Sequence, residues 1–214
     1  MKRISIKAGP GSRIRIVRKG KGKREEKTEK IAAHGEDKKT LFLSSNFLNL
    51  AEIRAESSFR PSQGDIEVIY ALSGRAHNTP DTFHKLSSRF VMKEASQSMI
   101  LANTEEIVNH IIKEREEKPN LIVIVHTHPA GIAHPSETDR KYCPQITKGI
   151  RKFLAGANTK IAFGIHSVSS ENIREREEPQ KTSKNRIKWS SITRSHEIAF
   201  YDENLMPVEV VVGE

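Results

Sequence analysis

Residues 121–139 read LIVIVHTHPAGIAHPSETD, and the fold class turns on how this stretch is divided. Leu121, Ile122, Val123, Ile124 and Val125 form an apolar run without alternation. Such a run reads as a strand buried on both faces, since it leaves no side for water. His126 and His128 then leave the strand two residues apart. Side chains alternate across extended backbone, so these two imidazoles point the same way. Pro129 and Gly131 break the strand. Ser136 is a helix cap and puts Asp139 on the first helical turn. Two histidines and one carboxylate supply three protein ligands and leave a fourth tetrahedral position for water. That is the layout of a catalytic zinc site, because structural sites fill all four positions. Each residue alone has a plainer reading: single histidines are mostly structural, and Ser-x-x-Asp is an ordinary helix start. The combined spacing at a strand-to-helix junction favours the metal.

Working outward, the upstream chain supplies strands and helices in alternation. Thr104 caps a helix with Ile107, Val108, Ile111 and Ile112 at helical spacing, and Pro119-Asn120 ends it. Residues 66–74 alternate as a strand, with Ile66, Val68, Tyr70 and Leu72 on one face and Glu67, Ile69 and Ala71 on the other. Residues 41–60 read as a short strand followed by a helix capped by Ser45, with Phe47, Leu50, Ala51 and Ala55 sharing a face. Residues 75–102 read as short strands joined by polar turns, with candidates at 90–92 and 99–101. His77, His84 and His110 fall in these parts and read as structural, since nothing pairs them at ligand spacing. Downstream, Pro144 removes a backbone donor, so an irregular turn from Ser136 is expected before a regular helix over residues 144–155. Residues 160–166 read as a strand. Residues 167–193 are almost wholly polar and read as a long loop or insertion, onto which Trp189 packs. Residues 197–202 and 208–212 read as two strands, a hairpin around Glu203-Asn204. The alternation predicts an α/β fold with a mixed central sheet flanked by helices.

The pattern His-x-His, seven residues, Ser-x-x-Asp, carried here by His126, His128, Ser136 and Asp139, resembles the motif of the JAMM (MPN+) zinc metalloproteases of the prokaryotic single-domain type. The resemblance extends over residues 43–165. It implies a mixed sheet of cytidine-deaminase-like architecture and one Zn2+ per chain held by His126, His128 and Asp139. It also implies a glutamate general base in a strand of the form Glu-x-x-Gly-x-Leu-x-Gly. Residues 67–74 are similar: Glu67, Leu72 and Gly74 match, and Tyr70 stands where the family has its first glycine. Glu52, Glu56 and Glu94 are the alternatives to Glu67; a strand fixes a catalytic group better than a mobile segment does. The implied chemistry is hydrolysis, with Glu67 taking a proton from water and passing it to the leaving amine. Ser136 would donate to the developing oxyanion, a role worth on the order of 3 kcal/mol, unless it serves only as the helix cap. The implied substrates are conjugates of ubiquitin or a ubiquitin-like protein on lysine. His134, inside the spacer, is given no ligand role.

Composition sets the remaining bounds. Of the formal charge of +9 in 214 residues, all sits on residues 1–40, which carry 14 Lys and Arg against 5 Asp and Glu; the other residues balance at 22 and 22. The chain therefore reads as a basic arm, residues 1–40 with a hairpin in 1–18 and a linker from 18 to 40, ahead of a catalytic domain at 41–214. The arm is either a solubilising extension or a contact for RNA or another acidic partner. A scaffold or binding module docked through that arm is thus a competing function. A RadC-type protein, suggested by residues 128–131 and 135–136, is a third. The single cysteine, Cys143, excludes an intrachain disulfide and fits a reducing cytoplasm. No apolar run reaches the ~18 residues of a membrane span. The basic N-terminus has no apolar segment behind it, so no signal peptide and no membrane partner are expected.

Overall fold

The structure of the protein is a computed structural model that describes residues 40–57, 67–86, 104–129, 131–170 and 175–213. These belong to one unit, His34–Glu214. The hairpin expected in residues 1–18, most of the linker, and the strand candidates at 90–92 and 99–101 lie outside the described residues.

The apolar run at Leu121 begins the strand on which the core is built, β4 (Leu121–Pro129). Its first five residues are at most 2% exposed. Leu121, Val123 and Val125 enter one core cluster, while Ile122 and Ile124 enter another on the opposite face. Each fully buried aliphatic side chain of this kind contributes roughly 1.5–3 kcal/mol. The strand does not end at Val125. It runs parallel to β5 (Lys160–Ser169) as far as the pair Pro129↔Val168. His126 and His128 are therefore strand residues, held by ladder hydrogen bonds and not by a loop.

Seven strands make the main sheet. They are β4 and β5 with β2 (Ile69–Gly74), β3 (Thr82–His84), β6 (Glu177–Ser183), β7 (Arg186–Ser190) and β8 (Ser195–Asp202), in the order β3-β2-β4-β5-β8-β7-β6. Only β4 and β5 are parallel neighbours; the other pairs are antiparallel. A parallel pair needs a crossover, and α3 (Glu137–Phe153) supplies it. With α2 (Thr104–Arg115), α3 covers the sheet face carrying Ile69, Ile122 and Ile124. The other face packs against α1 (Ser45–Glu56) and a parallel pair formed by β1 (Thr40–Ser44) and β9 (Glu209–Gly213). The mixed, helix-flanked α/β sheet expected from the sequence is the observed architecture. No described helix is long and apolar enough to cross a membrane.

Several local expectations are corrected. Ser44, not Ser45, caps α1, its Oγ accepting from the Phe47 amide at 3.4 Å. The buried face of α1 is Leu48, Ala51, Glu52 and Ala55, with Phe47 and Leu50 only partly covered. Glu52 is drawn inward because Trp189 Nε1 donates to its carboxylate at 2.8 Å. β2 begins at Ile69, so Glu67 precedes the strand by two residues. α3 is a single helix from Glu137 to Phe153 with Pro144 inside it. Pro144 and Arg140 both lie at exposed positions of the helix, where water can best replace the bond that the proline removes. The polar segment 167–193 is not a loop: it holds the end of β5 and the β6–β7 hairpin. All β6 side chains except that of Pro179 are exposed, and such an outer edge strand has no apolar face to announce it. Trp189 is 1% exposed and packs in the core, as expected of a large aromatic. The two C-terminal strands do not form a hairpin. β8 joins the main sheet and β9 leaves to pair with β1, with one bridge, Tyr201↔Pro207, between them.

Candidate metal centre

The side-chain alternation that sends Ile122 and Ile124 toward α2 and α3 continues through His126 and His128 at the C-terminal end of β4. The helix crossing that face delivers Asp139. Ser136 is the N-cap of α3, with φ −70° and ψ 170°. Its backbone N–H and its hydroxyl both donate to Asp139 Oδ2, at 2.8 and 2.7 Å, and its Oγ accepts from the Asp139 amide at 3.1 Å. This capping box fixes the carboxylate at the positive end of the helix. Asp139 is 3% exposed.

Three donor atoms converge there. His126 Nε2 lies 3.0 Å from His128 Nε2 and 3.0 Å from Asp139 Oδ1, and His128 Nε2 lies 3.5 Å from Asp139 Oδ2. Ligands about 2.0–2.2 Å from a tetrahedral zinc stand roughly 3.3 Å apart, so the spacing already fits a cation at the centre. His128 Nδ1 lies 3.1 Å from the Ile132 carbonyl and donates to it. That bond leaves the Nε2 lone pair facing the cluster, the arrangement expected of a metal ligand. The set of two imidazoles and a carboxylate suits zinc, with one coordination position left open.

The electrostatics favour positive charge at this point. Burial works to raise the Asp139 carboxyl, but hydrogen bonds from His126 and His128, with Ser136, outweigh it and hold the group far below the carboxylate range. Burial likewise works to lower His128, yet Asp139, the Ile132 carbonyl and the charge of Glu67 leave it above its ordinary value.

The segment carrying Glu67 is tied to β4 through Thr127, a residue that sequence reasoning passed over. β2 and β4 are antiparallel with Ile69 opposite His126. The Thr127 amide donates to the Val68 carbonyl at 3.0 Å, and the Val68 amide donates to Thr127 Oγ1 at 2.9 Å. Continuing that register sets Glu67 opposite His128, and residues directly opposite in an antiparallel pair share a face. Two of the alternative glutamates are engaged elsewhere. Glu52 holds Trp189 and Arg176, and Glu56 accepts from Ser191 Oγ at 2.6 Å. Glu94 lies outside the described residues.

The spacer loop is held from below. Ser167 Oγ donates to the Gly131 carbonyl at 2.5 Å, while Tyr201 Oη and Arg186 Nη2 donate to the Ala133 carbonyl at 2.9 and 3.2 Å. Gly131 is required by space: a Cβ there would lie 2.9 Å from His128 Cβ. His134 is exposed on this loop. Cys143 is buried, and burial together with the Asp139 charge pushes its thiol up to about 12, which leaves no nucleophilic thiolate near neutral pH.

The remaining histidines are not all isolated. His77 Nε2 lies 2.8 Å from the Asn158 carbonyl, as expected of a structural residue. The expectation that nothing pairs His84 with His110 is corrected: β3 and α2 bring them together beside Glu114. Their separation of 26 positions hid this, although His110 and Glu114 are one helical turn apart in the sequence.

The comparison with curated proteins gives no match. A family model described as prokaryotic homologs of the JAB domain matches residues 55–178, more than half of the chain. The matched span contains Glu67, both β4 histidines, the capping box of α3 and the parallel β4–β5 pair. Its fold and the residues gathered at the end of β4 agree with that match, and the chain belongs to the family of prokaryotic JAB domain homologues.

Proposed function

We propose that the protein is a zinc-dependent isopeptidase that releases ubiquitin or a ubiquitin-like protein from lysine conjugates. The observation that carries this reading is the convergence of His126, His128 and Asp139 within 3.0–3.5 Å, beside a strand lead-in that aligns Glu67 with His128. When bound, Zn2+ would lower the pKa of a coordinated water to near 7 and polarise the scissile carbonyl. His126, His128 and Asp139 would hold it. Glu67 takes the proton from the attacking water and returns it to the lysine nitrogen as the amide breaks, so one carboxylate serves as base and then as acid. Ser136 keeps two roles. Its hydroxyl orients Asp139 as the helix cap, and turning that hydrogen outward would let it stabilise the oxyanion. The carbonyl anchors from Ser167, Tyr201 and Arg186 hold the spacer loop, so the ligands are pre-positioned and little ordering accompanies binding.

The test is hydrolysis of an isopeptide-linked ubiquitin-like conjugate. Wild type should cleave it, lose activity with a chelator and regain it with Zn2+. Glu67→Gln should retain metal and lose turnover by at least about 100-fold, the usual scale of general acid–base catalysis. Metal-free wild type, or full turnover in Glu67→Gln, would sink the reading. The charge excess of residues 1–40 favours a second, compatible role, the docking of an acidic partner such as RNA. Deleting those residues should then abolish a salt-dependent shift on RNA without changing cleavage of a small conjugate; an unaltered shift would remove this role.

A further inference from the structure

Two groups of metal-ligating side chains occur among the described residues, and only one belongs to the site at the end of β4. The other is His84, His110 and Glu114, one ligand atom of each lying within 4.8 Å of the others. We infer that these three residues form a second binding site for a divalent transition-metal cation such as Zn2+, fastening the edge strand β3 to helix α2.

The site is built from two elements. His110 and Glu114 are four residues apart on α2 and therefore stack on one face. His84 is the last residue of β3, paired with Ala71 of β2, and is fully buried. The Glu114 carboxylate stands between the two rings. Its Oε2 is 2.5 Å from His84 Nδ1 and its Oε1 is 3.1 Å from His110 Nε2. The rings are inclined at 73° with centroids 6.1 Å apart, against 4.9 Å for His126 and His128. Both carboxylate distances are shorter than the roughly 3.3 Å between ligands of one zinc, so Glu114, whose side chain is partly exposed, would draw back slightly as a cation enters between it and the two rings.

An outer shell is in place behind His84. Its Nε2 lies 2.7 Å from Ser73 Oγ, which also accepts from Arg115 Nη1 at 3.1 Å. A hydroxyl oxygen has two acceptor positions. At 2.5 Å Nδ1 donates to the Glu114 carboxylate; moving that hydrogen to Nε2, where Ser73 can receive it, would turn the Nδ1 lone pair toward a cation between His84 and Glu114. Fixing the far ring nitrogen in this way is what orients metal-bound imidazoles. The adjacent cation is already neutralised, since Arg115 pairs with Asp81 and with Glu117. Two imidazoles and one carboxylate are a borderline-soft donor set that suits Zn2+ over Mg2+ or Ca2+. Glu114 is 44% exposed, which gives ions an entry and leaves room for water as the fourth ligand. β3 has only three paired residues, so cross-linking it to α2 would stabilise the folded state by mass action.

The experiment is a Zn2+ titration of the full-length, chelator-stripped protein by calorimetry, with thermal denaturation at each metal loading. Wild type should bind two equivalents. His110→Ala and Glu114→Gln, each checked for native circular dichroism, should bind one and lose the second rise in Tm while keeping hydrolytic activity. His126→Ala should also bind one equivalent, the one at α2, so a failure of the proposed catalytic site is read separately. A wild-type stoichiometry of one that falls to zero in His126→Ala, or is unchanged in His110→Ala and Glu114→Gln, would overturn the inference. So would a second equivalent that persists in both His110→Ala and Glu114→Gln, which would mark it as adventitious binding by other surface histidines.

Discussion

Replacing Thr127 by Val tests whether the strand pairing delivers Glu67 to the proposed metal centre. Thr127 is fully buried between the two histidines, and its Oγ1 accepts the Val68 amide at 2.9 Å. Valine is nearly isosteric and favours extended backbone, so β4 and its ladder with β5 should persist. The bond from the Thr127 amide to the Val68 carbonyl also remains. What disappears is one acceptor, leaving the N–H of a residue only 6% exposed without its partner. An unsatisfied buried donor costs about 1–3 kcal/mol, and the chain can escape that cost by swinging the lead-in outward. Glu67 is the next residue. A misplacement of ~1 Å in a catalytic group costs on the order of 100-fold in rate, so kcat should fall by about 10- to 100-fold with KM and bound zinc unchanged. Thr127→Ser restores the acceptor and should recover most of the loss. Steady-state kinetics on a ubiquitin-like conjugate, zinc analysis and denaturant titration of the three proteins decide the matter. Wild-type kcat in Thr127→Val, with stability reduced as expected, would refute Thr127 as a positioning residue. Equal loss in Thr127→Ser would refute the hydrogen bond as the cause.

Stability should also depend on pH through a buried histidine pair. His166 Nε2 lies 3.1 Å from His196 Nδ1, with Tyr70 Oη beyond, and both rings are fully buried. Burial lowers His196 to about 4 against the opposing charge of Glu56, and lowers His166 well below its ordinary value. The unfolded chain takes up these protons from pH ~6.5 downward. The stability held by the neutral pair is therefore complete above that pH and is lost as pH falls toward 4. For His196 alone the gap amounts to roughly 3 kcal/mol. Denaturation midpoints of chelator-treated protein should fall over this window more steeply in wild type than in His196→Gln; equal slopes would contradict the assignment. Gly131→Ala should force His128 aside, since the added carbon would sit 2.9 Å from His128 Cβ. Competition with a chelator should show zinc affinity reduced by about 10-fold or more, and an unchanged affinity would show that the loop yields instead. Cys143 should resist iodoacetamide in the native protein, and Cys143→Ala should retain cleavage, because its thiol is buried and its pKa is about 12; rapid native alkylation would count against the packing around α3.

The central strand, the histidine pair and the capped carboxylate were legible in the sequence because each is a local pattern. An unbroken apolar run has no exposed face, residues two apart on a strand share a side, and Ser-x-x-Asp closes a capping box within one turn. The charge imbalance of residues 1–40 is likewise a property of composition alone. Tertiary structure decided what depends on distant partners. β5 carries β4 past Val125 and makes His126 and His128 strand residues. Thr127 accepts from the Val68 amide only because the lead-in to β2 lies beside β4. The polar segment 177–183 is a strand because β7 offers it a ladder, although its side chains face water. His84 meets His110 and Glu114 only when β3 is laid against α2. Local patterns record what a residue can be; the free energy of burial and pairing between elements far apart in the chain determines which neighbours it has.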